Sequence, residues 1–186
     1  MMLDWYAFWH FVIIIAYLYA AILIYFFRKS KNLKINIDIN AKDLFFTLAM
    51  FVILMVLLFI VKSFGLLESH TIEISTLKLI LIITYLIIIV APVEEALFRG
   101  VIAFWLVKKT NIFLGWIISA IVFGLAHLPN GALGANLLDW NWKLALIAGV
   151  SGLFFGITYL KTKSIINPIL LHGLSITIWV LFFEVP

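Results

Sequence analysis

The sequence predicts an all-α, polytopic integral membrane protein of about six transmembrane helices around a buried polar site. Three observations carry that prediction. Of 186 residues, 66% are hydrophobic and 12% charged, with a mean hydropathy of +1.21, whereas a soluble domain carries about 25% charged residues. The apolar residues fall into six runs near the length of a membrane span. The basic residues gather in alternate connectors between those runs.

The runs cover residues 5–27, 44–64, 77–107, 112–128, 142–160 and 165–183. At about 1.5 Å per helical residue, roughly 20 residues cross the hydrocarbon core. The first run is expected to be a retained span, because its basic residues follow it and no small-residue cleavage site closes it. A short polar segment, residues 65–76, carries Glu68, His70 and Glu73. The third run is long for a simple span and is expected to be interrupted at Pro92. Alternate connectors hold nine basic residues: Arg28, Lys29, Lys31, Lys34, Lys42, Lys108, Lys109, Lys161 and Lys163. The opposite connectors hold Lys62, Lys78 and Lys143, with Glu68, Glu73 and Asp139 among them. By the positive-inside rule the basic loops are cytoplasmic and both termini lie outside. Residues 1–186 then form a single membrane domain, with two N-terminal spans in 1–76 and a helical core in 77–186.

Composition also excludes. The net charge of +4 sits in short inter-span clusters and not on one face, which argues against a nucleic-acid partner. Without cysteine, disulfides and thiolate metal sites are impossible.

Ionisable groups inside a span cost on the order of 2.5–3.5 kcal/mol each on insertion scales, so each needs a reason. The third run holds Glu94, Glu95 and Arg99 in APVEEALFRG, the fourth ends in FGLAHLP with His127, and the sixth holds His172 in NPILLHGLS. Glu95 and Arg99, four apart with the acid first, form the better-oriented helical ion pair. Their expected role is structural support. Glu94 has no basic residue three or four positions away, and an unpaired carboxylate at depth suits proton exchange with water. Its structural alternative is a carboxyl hydrogen-bonded to a neighbouring helix. His10 and His70 lie near span edges and read as interfacial. Depth separates the other two. From the cytoplasmic ends at Lys108, Asn111 and Lys163, Glu94 lies about 21 Å in, His127 about 24 Å and His172 about 14 Å. The three fit one layer, where two imidazoles and a carboxylate can hold a water or a metal.

Taken together, EEALFR at 94–99, FGLAH at 123–127 and the late His172 match the EExxxR and FxxxH motifs and the third histidine of a known family. Over residues 90–186 the chain resembles the CPBP intramembrane proteases, the CAAX prenyl-protease, bacteriocin-processing and abortive-infection group. One position departs from that pattern: the family's third motif is HxxxN, or an acid in the last place, and this chain has Ile176. Ser175, Thr177 and Asn167 are the nearby hydrogen-bonding substitutes.

The resemblance implies an intramembrane endopeptidase. Glu94 would activate water with help from His127, His172 would face the scissile carbonyl, and Glu95 and Arg99 would brace the helix. Phe123 would pack beneath the His127 imidazole, and Ser175 would support the site. The expected partners are the lipid bilayer and a membrane-embedded peptide or prenylated protein. A catalytic zinc on Glu94, His127 and His172 and a metal-free glutamate mechanism both remain open. Two non-protease readings stand beside this one. A scaffold or immunity protein with the same buried cluster is favoured by Ile176. A proton-conducting bundle is disfavoured by the lack of an inverted repeat.

Overall fold

The computed structural model describes residues 37–65, 67–69, 75–128 and 141–184. The first apolar run, His10, His70, Glu73 and Asp139 lie outside the described residues. Five helices carry the described chain. Helix α1 is Ala41–Ser63, α2 is the continuous stretch 76–109, α3 is Ile112–Leu125, α4 is Trp142–Thr162 and α5 is Ile166–Phe182. One antiparallel pair of two-residue strands, Glu68–Ser69 (β1) and Phe183–Glu184 (β2), ties the connector after α1 to the end of α5.

Asparagine starts three of the helices. Asn40, Asn111 and Asn141 each accept, through the side chain, the backbone N–H three residues on, at 2.9 Å. Each satisfies one of the donors that a helix N-terminus leaves open. Helix α4 ends where Lys163 turns left-handed, at φ 56°.

The expected interruption at Pro92 is absent. Helix α2 runs through it, with Leu86–Val90 and Ala96–Ala103 wound as π-helix around an α-helical Ala91–Glu95. Pro92 stands two residues after the first widened stretch, where a loosened ladder can accommodate its missing N–H.

Contacts between helices give their directions. Asn167 meets Thr47 and Phe183 meets Phe59, so α1 and α5 run parallel. Ser119 donates to Phe98 O and Gly115 abuts Val107, so α3 returns against α2. Gly124 faces Ala145 and Gly149 while Trp116 donates to Leu153 O, so α4 returns against α3. Helices α2, α3 and α4 thus run up, down and up in succession.

Among the described residues, three helices are long and apolar enough to cross a membrane: Ala41–Ser63, Leu79–Lys109 and Trp142–Thr162. The apolar helices α3 and α5 are shorter. The core joins Leu54 and Leu58, Phe98, Phe123, Phe155 and Leu171, one or two from each helix. The outer faces carry exposed Phe45, Leu81, Ile88, Phe113 and Leu146. In water such a surface would aggregate; against lipid it is the expected exterior. The described helices have the length and the apolar outer surface of a membrane-embedded protein.

Candidate active site

Helix α2 brings two adjacent glutamates to different surroundings. Glu95 and Arg99 are fully buried, at 0% and 2% exposure, and Arg99 Nη1 donates to Glu95 Oε1 at 2.9 Å. Its Nη2 donates to the carbonyl of Gly152 on α4 at 2.9 Å. The guanidinium also lies 4.7 Å from the Phe123 ring centre and 5.2 Å from that of Phe155. A buried cation is tolerable only with such partners.

His172 of α5 stands between the two acids. Its Nδ1 lies 3.0 Å from Glu95 Oε1 and its Nε2 3.8 Å from Glu94 Oε2. His127 occupies the turn that closes α3, with its own N–H on Gly124 O at 2.9 Å. Its Nδ1 lies 2.8 Å from Phe123 O, and its Nε2 4.0 Å from Glu94 Oε2. Glu94 and His127 are each 28% exposed at the side chain, so this corner of the cluster is open while the Glu95–Arg99 corner is sealed.

Partners fix both tautomers. A carbonyl and a carboxylate only accept, so His127 Nδ1 and His172 Nδ1 must carry protons and donate. In the neutral rings each Nε2 is then a lone pair aimed at Glu94. Glu94 Oε2 is buried and has no hydrogen bond within the protein. Both separations from Nε2 exceed a direct hydrogen bond and suit a small molecule held between the groups.

Phe123 touches both imidazoles and a third ring. Its ring is 4.7 Å from His127, 5.7 Å edge-on from His172 and 4.8 Å edge-on from Phe98. Ser175 turns elsewhere: its hydroxyl donates to Leu171 O, four residues back on the same helix, at 2.7 Å. Thr177 does the same to Gly173 O. Asn167 is fully buried and engages Thr47 of α1, not the imidazoles. The Thr47 hydroxyl lies 2.8 Å from Asp43 O. Asn167 Oδ1 accepts from the Thr47 hydroxyl at 2.9 Å, and its Nδ2 has no partner among the described residues.

Comparison with known proteins places this arrangement. The family model for type II CAAX prenyl endopeptidase Rce1-like proteins matches residues 76–178, more than half of the chain and all of the cluster. The chain belongs to the Rce1-like family. It is also 36% identical over 85 residues to the protein named "Putative membrane peptidase YdiL" of Bacillus subtilis (strain 168). That match covers 45% of this chain and spans 30% of the relative's length. No solved structure matches. The Rce1-like family is one of membrane-embedded proteases.

A zinc ion on this Rce1-like cluster would need its donors about 2.0–2.2 Å from one point, hence roughly 3.3–3.5 Å from each other. Glu94 Oε2 stands farther than that from both Nε2 atoms. Among the described residues no group of three His, Asp or Glu is arranged to hold an ion. The spacing of these residues is wider than a bound zinc ion requires, and no step below passes through one.

Two groups on α4 escaped the sequence reading. Gly152 supplies the carbonyl for Arg99, and a Cβ there would stand 3.1 Å from Phe123 Cδ1 and 3.3 Å from Arg99 Nη2. Phe155 stacks on His172 at 4.6 Å and 20°. Neither belongs to a motif, and in an apolar helix neither type is a signal; only the contacts of α4 with Arg99 of α2 and His172 of α5 reveal them.

Proposed function

We propose that this chain is an intramembrane endopeptidase that hydrolyses a peptide bond of a membrane-associated protein or peptide, a lipidated tail among the candidate substrates. One observation carries the reading: Glu94 Oε2, buried and without a hydrogen bond, faces Nε2 of both His127 and His172 at 4.0 and 3.8 Å.

In the proposed mechanism a water between these groups donates one proton to Glu94 and hydrogen-bonds His127 Nε2, so its oxygen is directed and activated. The oxygen attacks the scissile carbonyl carbon as Glu94 takes the proton. For this step His172 first takes up a second proton from water, so that Nε2, a lone pair in the neutral resting ring, becomes a donor. Nδ1–H stays on Glu95 and Nε2–H meets the developing oxyanion, a contribution of about 2.7–4 kcal/mol in comparable sites. Glu94 then passes its proton to the leaving nitrogen as the C–N bond breaks, which yields a carboxyl group and an amine. Glu95 orients His172, and Arg99 holds Glu95. The proposal adds the finer topology: residues 5–27 as a sixth span, basic connectors in the cytoplasm, and both termini outside.

The test is mass spectrometry of products from a panel of membrane-anchored peptides, with and without a C-terminal prenyl group, incubated with the protein in liposomes. Cleavage at one bond that persists after treatment with a chelator is the expected result. Cleavage abolished by chelator and restored by zinc would replace the metal-free step. A folded protein that cleaves no peptide would favour the non-enzymatic scaffold, the reading for which Ile176 speaks.

A further inference from the structure

The reading above leaves the orientation of His172 to its hydrogen bond with Glu95. That bond tolerates angular deviation, so by itself it holds the plane of the ring only loosely. The terminal torsion of a histidine is broad and nearly two-fold, and a rotation about it swings Nε2 away from Glu94. A second constraint must come from a group that touches the face of the imidazole.

Phe155 is that group. It lies on α4, outside all three motif segments, and its ring is 4.6 Å from the His172 ring with 20° between the planes. Phe123 meets the same imidazole from the side, at 84°, so the two rings close off different motions. Phe155 is itself held: it is 2% exposed, lies 6.0 Å edge-on from Phe123, and has the Arg99 guanidinium 5.2 Å from its centre. One turn earlier on α4, Gly152 O receives Arg99 Nη2. Helix α4 therefore grips both ends of the Arg99–Glu95–His172 chain, one end by a carbonyl and the other by an aromatic face.

We infer that Phe155 is a positioning residue of the proposed protease, which sets the plane of His172 so that Nε2 addresses the reacting carbonyl. The inference rests on the proposed function for its kinetic consequence, not for its structural one. A misplacement of about 1 Å in a catalytic group costs on the order of 10²-fold in rate. Loss of the stacking face should thus lower kcat with little effect on KM.

The experiment compares Phe155→Leu with Phe183→Leu, a core ring of like burial that packs on Phe59 and Trp179 away from the cluster. Phe155→Leu is expected to lower kcat about 10–100-fold with KM within about 3-fold. Phe183→Leu is expected to leave kcat within about 3-fold. Phe155→Met serves if the leucine variant fails to fold. A second readout does not need turnover: 15N spectra of histidine-labelled protein, with His172 assigned by its loss in His172→Gln. Wild type should give one Nδ1–H species, and Phe155→Leu a split or exchange-broadened one. An unchanged His172 signal in a folded Phe155 variant overturns the inference whatever the activity, as does an equal loss of kcat in Phe183→Leu. Failure of wild type to cleave any peptide overturns the protease reading, while the spectra still decide the role of Phe155.

Discussion

Replacing Glu95 by glutamine removes one charge and disturbs two contacts, because Oε1 receives both Arg99 Nη1 and His172 Nδ1. Arg99 is 2% exposed and cannot turn to solvent. It keeps the Gly152 carbonyl and the faces of Phe123 and Phe155, which offset part of the loss. Removing one partner of a buried ion pair typically costs about 3–5 kcal/mol. For a chain of this size each kcal/mol lowers Tm by about 2–4 °C, so Glu95→Gln should lose about 6–20 °C. Glu94→Gln is the control. Its carboxylate is 28% exposed and makes no hydrogen bond from Oε2, so its change should stay within about 1 kcal/mol, or some 4 °C at most. Both shifts are readable from tryptophan fluorescence during heating in detergent. Equal losses in the two variants, or a larger loss in Glu94→Gln, would refute the division of the acids into a structural and a reactive one.

Ile176→Asn restores the amide of the family pattern one turn after His172. It should raise turnover in a fluorogenic peptide assay by up to about 10²–10³-fold, the worth of one oxyanion hydrogen bond; no gain would mean another donor already serves. Gly124→Ala would set a Cβ 2.6 Å from Ala145 O and 2.9 Å from Gly149 Cα. It should cost about 1–3 kcal/mol of overpacking, whereas Gly149→Ala, with contacts at 3.6 and 3.7 Å, should be nearly neutral in the same melt. Cysteines at Thr110 and Lys163 should label from the cytoplasmic side and one at Phe64 from the outside; labelling of Thr110 and Phe64 from one side would break the proposed topology.

Much of this architecture could be read from residue types, and the exceptions have physical causes. The Glu95–Arg99 pair followed from spacing and depth, since two opposite charges four apart in an apolar helix have no cheaper arrangement. The approach of Glu94, His127 and His172 was suggested by similar depth and by the motif resemblance, since depth puts residues in one layer without saying which faces meet. Pro92 misled, since the break it signals is absorbed by π-winding, and such winding depends on what the neighbouring helices accept. The end of α3 at Leu125, which puts His127 in a closing turn, lies three residues before the apolar run ends, so hydropathy could not show it. Ser175 looked available beside His172, but a serine in a helix can bond its own carbonyl four residues back, and nothing in the pattern says which it does. Phe155 was invisible as one of 17 phenylalanines. Aromatic contacts between α3, α4 and α5 are tertiary facts.

The most direct test of the account is the rate of peptide cleavage by Glu94→Gln in liposomes, measured beside wild type on whichever anchored peptide wild type cuts. The account expects turnover at least about 10²-fold below wild type, the lower end of general acid–base contributions, from a protein that melts within about 4 °C of wild type. A folded Glu94→Gln protein that cleaves at the wild-type rate would contradict it.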